Sequence, residues 1–111
     1  MRSNRVSLVS STISLIPDPM GYHLMQPRFP LGAVFATSGA MELGEELTLY
    51  LRRHHCGDWG DLDDEDKQTN EDVLAAGSRI LSCYVTPGGE RLYVITEWDR
   101  SRTTILLASE Y

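Results

Sequence analysis

At 111 residues, 41% hydrophobic and 23% charged, the chain has the composition of an ordinary globular protein and the length of one domain, too short for two separate cores. A net charge of −6 excludes phosphate-backbone binding as its main business, because that binding needs a basic patch, and no apolar run approaches the roughly 20 residues of a membrane span. Cys56 and Cys83 are too few and too far apart for a secreted disulfide framework and point to a reducing, cytoplasmic compartment.

Residues 1–28 differ from the rest. Arg2 and Arg5 precede an apolar stretch that Ser7, Ser10, Ser11 and Thr12 interrupt, and no small-x-small cleavage site follows, so a signal peptide is not expected. Pro17, Pro19, Pro27 and Pro30 then punctuate the chain, which reads as a tail or a loosely attached edge strand. Met20 and Met25 offer alternative starts of translation.

A single α+β domain is expected over residues 29–111. Leu31 to Ala36 is a short apolar run ending at Thr37-Ser38-Gly39, the pattern of a buried strand followed by a helix N-cap. Ala40, Leu43, Leu47, Tyr50, Leu51 and His54 then recur at steps of three and four, predicting one amphipathic helix that Gly57 ends. Gly57-Asp58-Trp59-Gly60 is a tight connection, and Asp61 or Asp63 caps a second helix whose acidic first turn suits the helix dipole and which stops at Gly77. Ile80–Val85 and residues 91–98 alternate across a Pro87-Gly88-Gly89-Glu90 hairpin turn, and Asp99-Arg100-Ser101 leads into a last strand over residues 103–108. The order β-α-α-β-β-β predicts an antiparallel sheet with a three-stranded C-terminal meander and two helices packed on one face.

Charge is unevenly spread. Asp61, Asp63, Asp64, Glu65, Asp66, Glu71 and Asp72, opposed only by Lys67, carry the whole net charge, and the remaining acids and bases cancel. This predicts a near-neutral body with one acidic face. Trp59, between glycines beside that face, is either an exposed interface anchor or a ring folded over the helix junction to close the core. Trp98-Asp99-Arg100-Ser101-Arg102 is either a second binding feature, with Arg100 paired to the acidic helix, or a structural turn. The candidate protein-binding set is therefore Trp59, Asp61, Asp63, Asp64, Glu65, Asp66, Trp98 and Arg100.

No catalytic set, cofactor motif or metal site is expected. His54-His55-Cys56 lies on consecutive helical positions about 100° apart, which cannot close on one ion. The spacing of Asp61, Asp63, Glu65, Thr69 and Asp72 imitates a calcium loop, but the position that demands glycine holds Asp66. Among nucleophiles, Cys83 reads as a small core residue. Cys56 sits at a helix C-terminus, where the dipole raises a thiol pKa. Ser101, the third candidate, has no nucleophile elbow around it.

Several segments are similar to a family of small bacterial proteins carried on plasmids, phages and integrated elements, often labelled plasmid-related. They are Phe29-Pro30-Leu31-Gly32, Ala36-Thr37, Gly57-Asp58-Trp59-Gly60-Asp61-Leu62, Ile95-Thr96-Glu97 with Asp99-Arg100-Ser101, Thr103-Thr104-Ile105-Leu106-Leu107 and Glu110-Tyr111. The resemblance covers residues 29–111; the chain departs from it in Trp98, where a small residue is usual, and in its long N-terminal segment. It implies a mobile-element setting and no catalytic residue. The favoured expectation is a non-catalytic module that docks its acidic surface on a partner protein, such as a nucleic-acid-binding defence complex, in the manner of anti-restriction or anti-CRISPR proteins. Direct nucleic-acid or membrane binding is not expected. Two alternatives stand beside it: a small ribonuclease toxin, whose element order resembles the RelE-like architecture, and a homo-oligomeric accessory protein pairing through an edge strand at residues 103–108.

Overall fold

The computed structural model describes residues 6–9 and 26–111. Of the segment expected as a tail or loose edge strand over residues 1–28, residues 1–5 and 10–25, with Pro17, Pro19 and the alternative starts at Met20 and Met25, lie outside the described residues. The elements are β1 (Val6–Val9), β2 (Ala33–Thr37), α1 (Ser38–Met41), α2 (Leu47–His55), α3 (Asp64–Ala76), β3 (Ile80–Val85), β4 (Arg91–Thr96), β5 (Arg102–Leu107) and a closing 3-10 turn at Ala108–Glu110. The fold is α+β. The prolines of residues 17–30 do not prevent Val6–Val9 from forming a strand, which pairs antiparallel with β2, Val6 opposite Thr37 and Val9 opposite Val34. Arg28 already belongs to the body, its N–H donating to the His55 carbonyl at 2.9 Å.

The sheet runs β1-β2-β5-β4-β3 and is mixed, which corrects the antiparallel expectation. The C-terminal meander forms with the expected antiparallel pairs, but β5 also lies parallel to β2, Ala33 opposite Arg102 and Ala36 opposite Ile105. Parallel pairing needs a long crossover, and the helices and hairpin between β2 and β5 supply it. Burial of β5 gives the reason it is central. Thr103 and Ile105 are buried on one face while Thr104 and Leu106 are half-buried on the other, so neither face is a solvent face. The expected edge strand at residues 103–108 therefore does not exist, and with it goes the proposed route to a homo-oligomer.

The single helix expected from Ala40 to His54 is also corrected. Thr37 caps α1, accepting from the Ala40 N–H at 3.1 Å, but the helix ends after one turn and α2 starts only at Leu47. Gly44 adopts φ +72, a left-handed conformation that side chains disfavour, and this turns the chain between the two helices. Apolar spacing alone cannot reveal such a break, because Leu43 and Leu47 pack on the same core from either side of it.

One sheet face is the core floor: Val34, Ala36, Ile80, Tyr84, Leu92, Val94 and Ile105 are buried there. Leu51 and Tyr50 of α2 press on it, joined by Phe29, Leu31 and Trp59. Asp63 caps α3 through a 2.8 Å bond from the Asp66 N–H, and Gly77 closes its other end. The free edge of β3 is covered. Asn70 of α3 donates to the Leu81 carbonyl at 2.7 Å and accepts from the Leu81 N–H at 3.3 Å. One residue pair further on, Cys83 donates to Trp59 and accepts from Asp61 at 3.2 and 2.6 Å. Gly60 lies so close to the Cys83 carbonyl that a Cβ there would collide with it, which explains glycine at this position.

Candidate functional site

The first turn of α3 presents Asp64, Glu65 and Asp66, all exposed. None of the three makes an ion pair among the described residues. Asp61 lies just ahead, paired with Arg91 at 3.1 Å on an exposed surface, so it contributes little net charge. Asp63 is committed to capping. The outward charge is therefore held by a short run whose carboxylates also suit the helix N-terminus.

Trp59 does not join this surface. Its relative exposure is 4%, and its ring stacks on Phe29 with centroids 6.1 Å apart. Of the two expectations for Trp59, the ring folded over the helix junction is the one found, and its place as an exposed protein-binding residue is corrected. The tight Gly57–Gly60 turn folds the indole inward, and the Nε1–H donates to Glu71 at 2.9 Å. Glu71, which the sequence groups with the acidic face, is a junction instead: Arg28 donates to both of its carboxylate oxygens at 2.8 Å. That paired hydrogen bond holds the Glu71 carboxyl below the usual range, with the Trp59 donor assisting against desolvation.

Trp98 is on the surface, 66% exposed at the β4–β5 turn. The turn beneath it is tightly braced. Arg100 takes φ 60 and donates to the carbonyls of Ser78 at 2.6 Å, Glu97 at 3.1 Å and Val73 at 3.3 Å. Asp99 accepts from the Ser101 N–H at 3.0 Å. Arg100 therefore ties the carbonyl end of α3 to the turn and does not pair with the acidic carboxylates, which corrects that expectation. The dipole explains the choice, since a guanidinium suits a helix C-terminus.

The strongest buried polar feature is a chain of side-chain hydrogen bonds from His54, which residue spacing does not predict. His54 is fully buried, with Nδ1 2.6 Å from Ser82 Oγ and Nε2 2.9 Å from Thr96 Oγ1. Thr96 Oγ1 lies 2.6 Å from Thr103 Oγ1, which donates to the Leu31 carbonyl at 2.7 Å. Donor order follows from the end of this chain. A carbonyl only accepts, so Thr103 donates to it, Thr96 donates to Thr103, and His54 Nε2–H donates to Thr96. Nδ1 is then the acceptor for Ser82. Burial, reinforced by the charges of His55 and Arg100, lowers the His54 pKa to about 3 and keeps the ring neutral. Alternation on β3 placed Ser82 opposite Cys83, but nothing in the sequence tells which face meets the helix.

The buried histidine and the two thiols are engaged or shielded within the fold. Both ring nitrogens of His54 are occupied within the core, and burial raises the thiol pKa of Cys56 and Cys83. Arg91 Nη2 donates to Cys83 Sγ at 3.1 Å, and Cys83 has no exposed surface. Among the described residues no group of three His, Cys, Asp or Glu side chains could hold a metal ion, and no helix is long and apolar enough to cross a membrane. Shallow clefts lie along β3 among the described residues. One of about 320 Å3 lies among Arg53, Gly60, Asp61, Tyr84 and Val85, and one of about 260 Å3 among Leu62, Asp66, Thr69, Asn70, Arg79 and Leu81. Compared with family models, curated proteins and solved structures, the chain matches none.

Proposed function

We propose that this chain is a non-catalytic protein-binding module, and that it docks the first turn of α3 on the basic groove of a partner. The carrying observation is the exposed run Asp64, Glu65 and Asp66, without ion pairs among the described residues, on a helix fixed to the sheet by Asn70 and to the N-terminal side by Glu71. A rigid, unpaired anionic surface steers association with a cationic partner and competes with nucleic acid for the same groove. Trp98, exposed on a braced turn beyond the other end of α3, adds an apolar contact. A mobile-element setting, expected from the sequence segments alone, is part of this proposal, and a restriction or CRISPR complex is the basic partner it names. The RelE-like ribonuclease reading has less support, since Arg91 is paired with Asp61 and Arg100 is engaged by carbonyls.

The test is direct. Purified protein is mixed with restriction and CRISPR effector complexes, and co-elution and inhibition of their DNA binding are measured. A variant carrying Asp64→Asn, Glu65→Gln and Asp66→Asn should bind at least about tenfold more weakly. Equal binding by the variant, or no complex with any basic partner, would refute the docking role.

A further inference from the structure

The groove between α3 and the start of β3 shares only Asp66 with the docking surface, and its remaining lining takes no part there. Its lining joins two apolar side chains, Leu62 and Leu81, with two opposite charges, Asp66 and Arg79. No ion pair joins those charges. Each is held on its own side. The Asp66 N–H is fixed in the capping turn by Asp63, and the Arg79 guanidinium hydrogen-bonds the Tyr111 hydroxyl and lies 5.4 Å over its ring. The floor is fixed as well, because Asn70 binds both backbone groups of Leu81. Thr69 donates its hydroxyl proton to the Glu65 carbonyl at 3.1 Å, which leaves its oxygen as an acceptor toward the groove.

An anion alone would leave Asp66 facing it, and a cation alone would leave Arg79. A ligand carrying both charges beside an apolar group matches all the walls together. At about 260 Å3 the groove is smaller than the roughly 300–1,000 Å3 of drug-sized sites and suits a single small molecule. We propose that it binds a free aliphatic amino acid, with the α-carboxylate on Arg79, the α-ammonium on Asp66 and the Thr69 oxygen, and the side chain on Leu62 and Leu81. Both charged walls are exposed, so each contact is weak in water and millimolar affinity is expected.

The experiment is an amide chemical-shift titration of the full chain with L-leucine. Saturable shifts centred on Leu62, Thr69, Asn70 and Leu81 are expected. Leucinamide, which lacks the carboxylate, and N-acetyl-leucine, which lacks the ammonium, should each bind several-fold more weakly. Arg79→Gln should weaken leucine while leaving leucinamide unchanged, and Asp66→Asn should weaken leucine while leaving N-acetyl-leucine unchanged. Retained spectral dispersion verifies that both variants are folded. Absence of saturable shifts at tens of millimolar leucine, or equal affinity for leucine and leucinamide, would overturn the proposal. Partner binding enters none of these measurements, so the outcome is independent of the docking role.

Discussion

His54 shows how one side chain can govern the response to acid. Its ring is neutral in the folded protein, with a pKa lowered to about 3, whereas in the unfolded chain it takes up a proton near the ordinary value of 6.5. The unfolded state therefore binds the extra proton below about pH 6.5, and stability falls as pH drops from there toward 3. This group alone should contribute a slope of about 1.4 kcal/mol per pH unit between pH 6 and 4. Urea unfolding at pH 7, 6, 5 and 4 checks it, and His54→Gln should remove that component of the slope. The same substitution should cost a few kcal/mol at pH 7, because it disturbs hydroxyls buried with Ser82, Thr96 and Thr103. Glu71 works in the same direction, at a lower pH. Its carboxyl is depressed by Arg28, so its stabilisation is present above the ordinary carboxylate pKa and is lost as pH falls through the lowered one. Because Arg28 and Glu71 remain 39% and 37% exposed, screening limits the pair, and Glu71→Gln should cost only about 1 kcal/mol by thermal unfolding at pH 7.

At the scale of elements, much of the fold is legible in the sequence. Strand alternation and the Pro87–Glu90 turn locate β3 and β4, Thr37 and Asp63 announce the caps, and Gly77 announces a helix end. What is hidden depends on contacts distant in the chain. The α1–α2 break arises where Gly44 turns left-handed within an apolar spacing that continues across it, and the parallel β2–β5 pair joins strands that sequence order keeps apart. The site divides in the same way. The exposed carboxylates of α3 follow from composition and dipole, but the inward turn of Trp59 and the carbonyl-binding role of Arg100 depend on partners more than ten residues away, such as Glu71 and Val73. The β3 edge gives a prediction at this scale. Asn70→Ala leaves the Leu81 N–H and carbonyl without their partner, so it should lower stability by about 2–3 kcal/mol and speed hydrogen exchange at Leu81. Gly60→Ala should be at least as costly, since the new methyl meets the Cys83 carbonyl while φ is +77. Chemical denaturation of both variants measures this.

For the molecule as a whole, the exposed run Asp64, Glu65 and Asp66 gives the protein an electrical asymmetry. Association with a basic partner should slow markedly as ionic strength rises from about 0.01 to 0.15 M, where the screening length falls from about 30 to 8 Å. Stopped-flow association rates measure this, and a rate insensitive to salt would mean that contacts other than the α3 carboxylates drive the encounter. The central place of β5 has its own consequence for how the chain is made. During synthesis β1 and β2 emerge first, then β3 and β4 as a hairpin, and neither group can join the other until the strand that separates them has left the ribosome. Without β5 the β1–β2 and β4–β3 pairs share no border, so the five-stranded sheet is completed only by its interior strand.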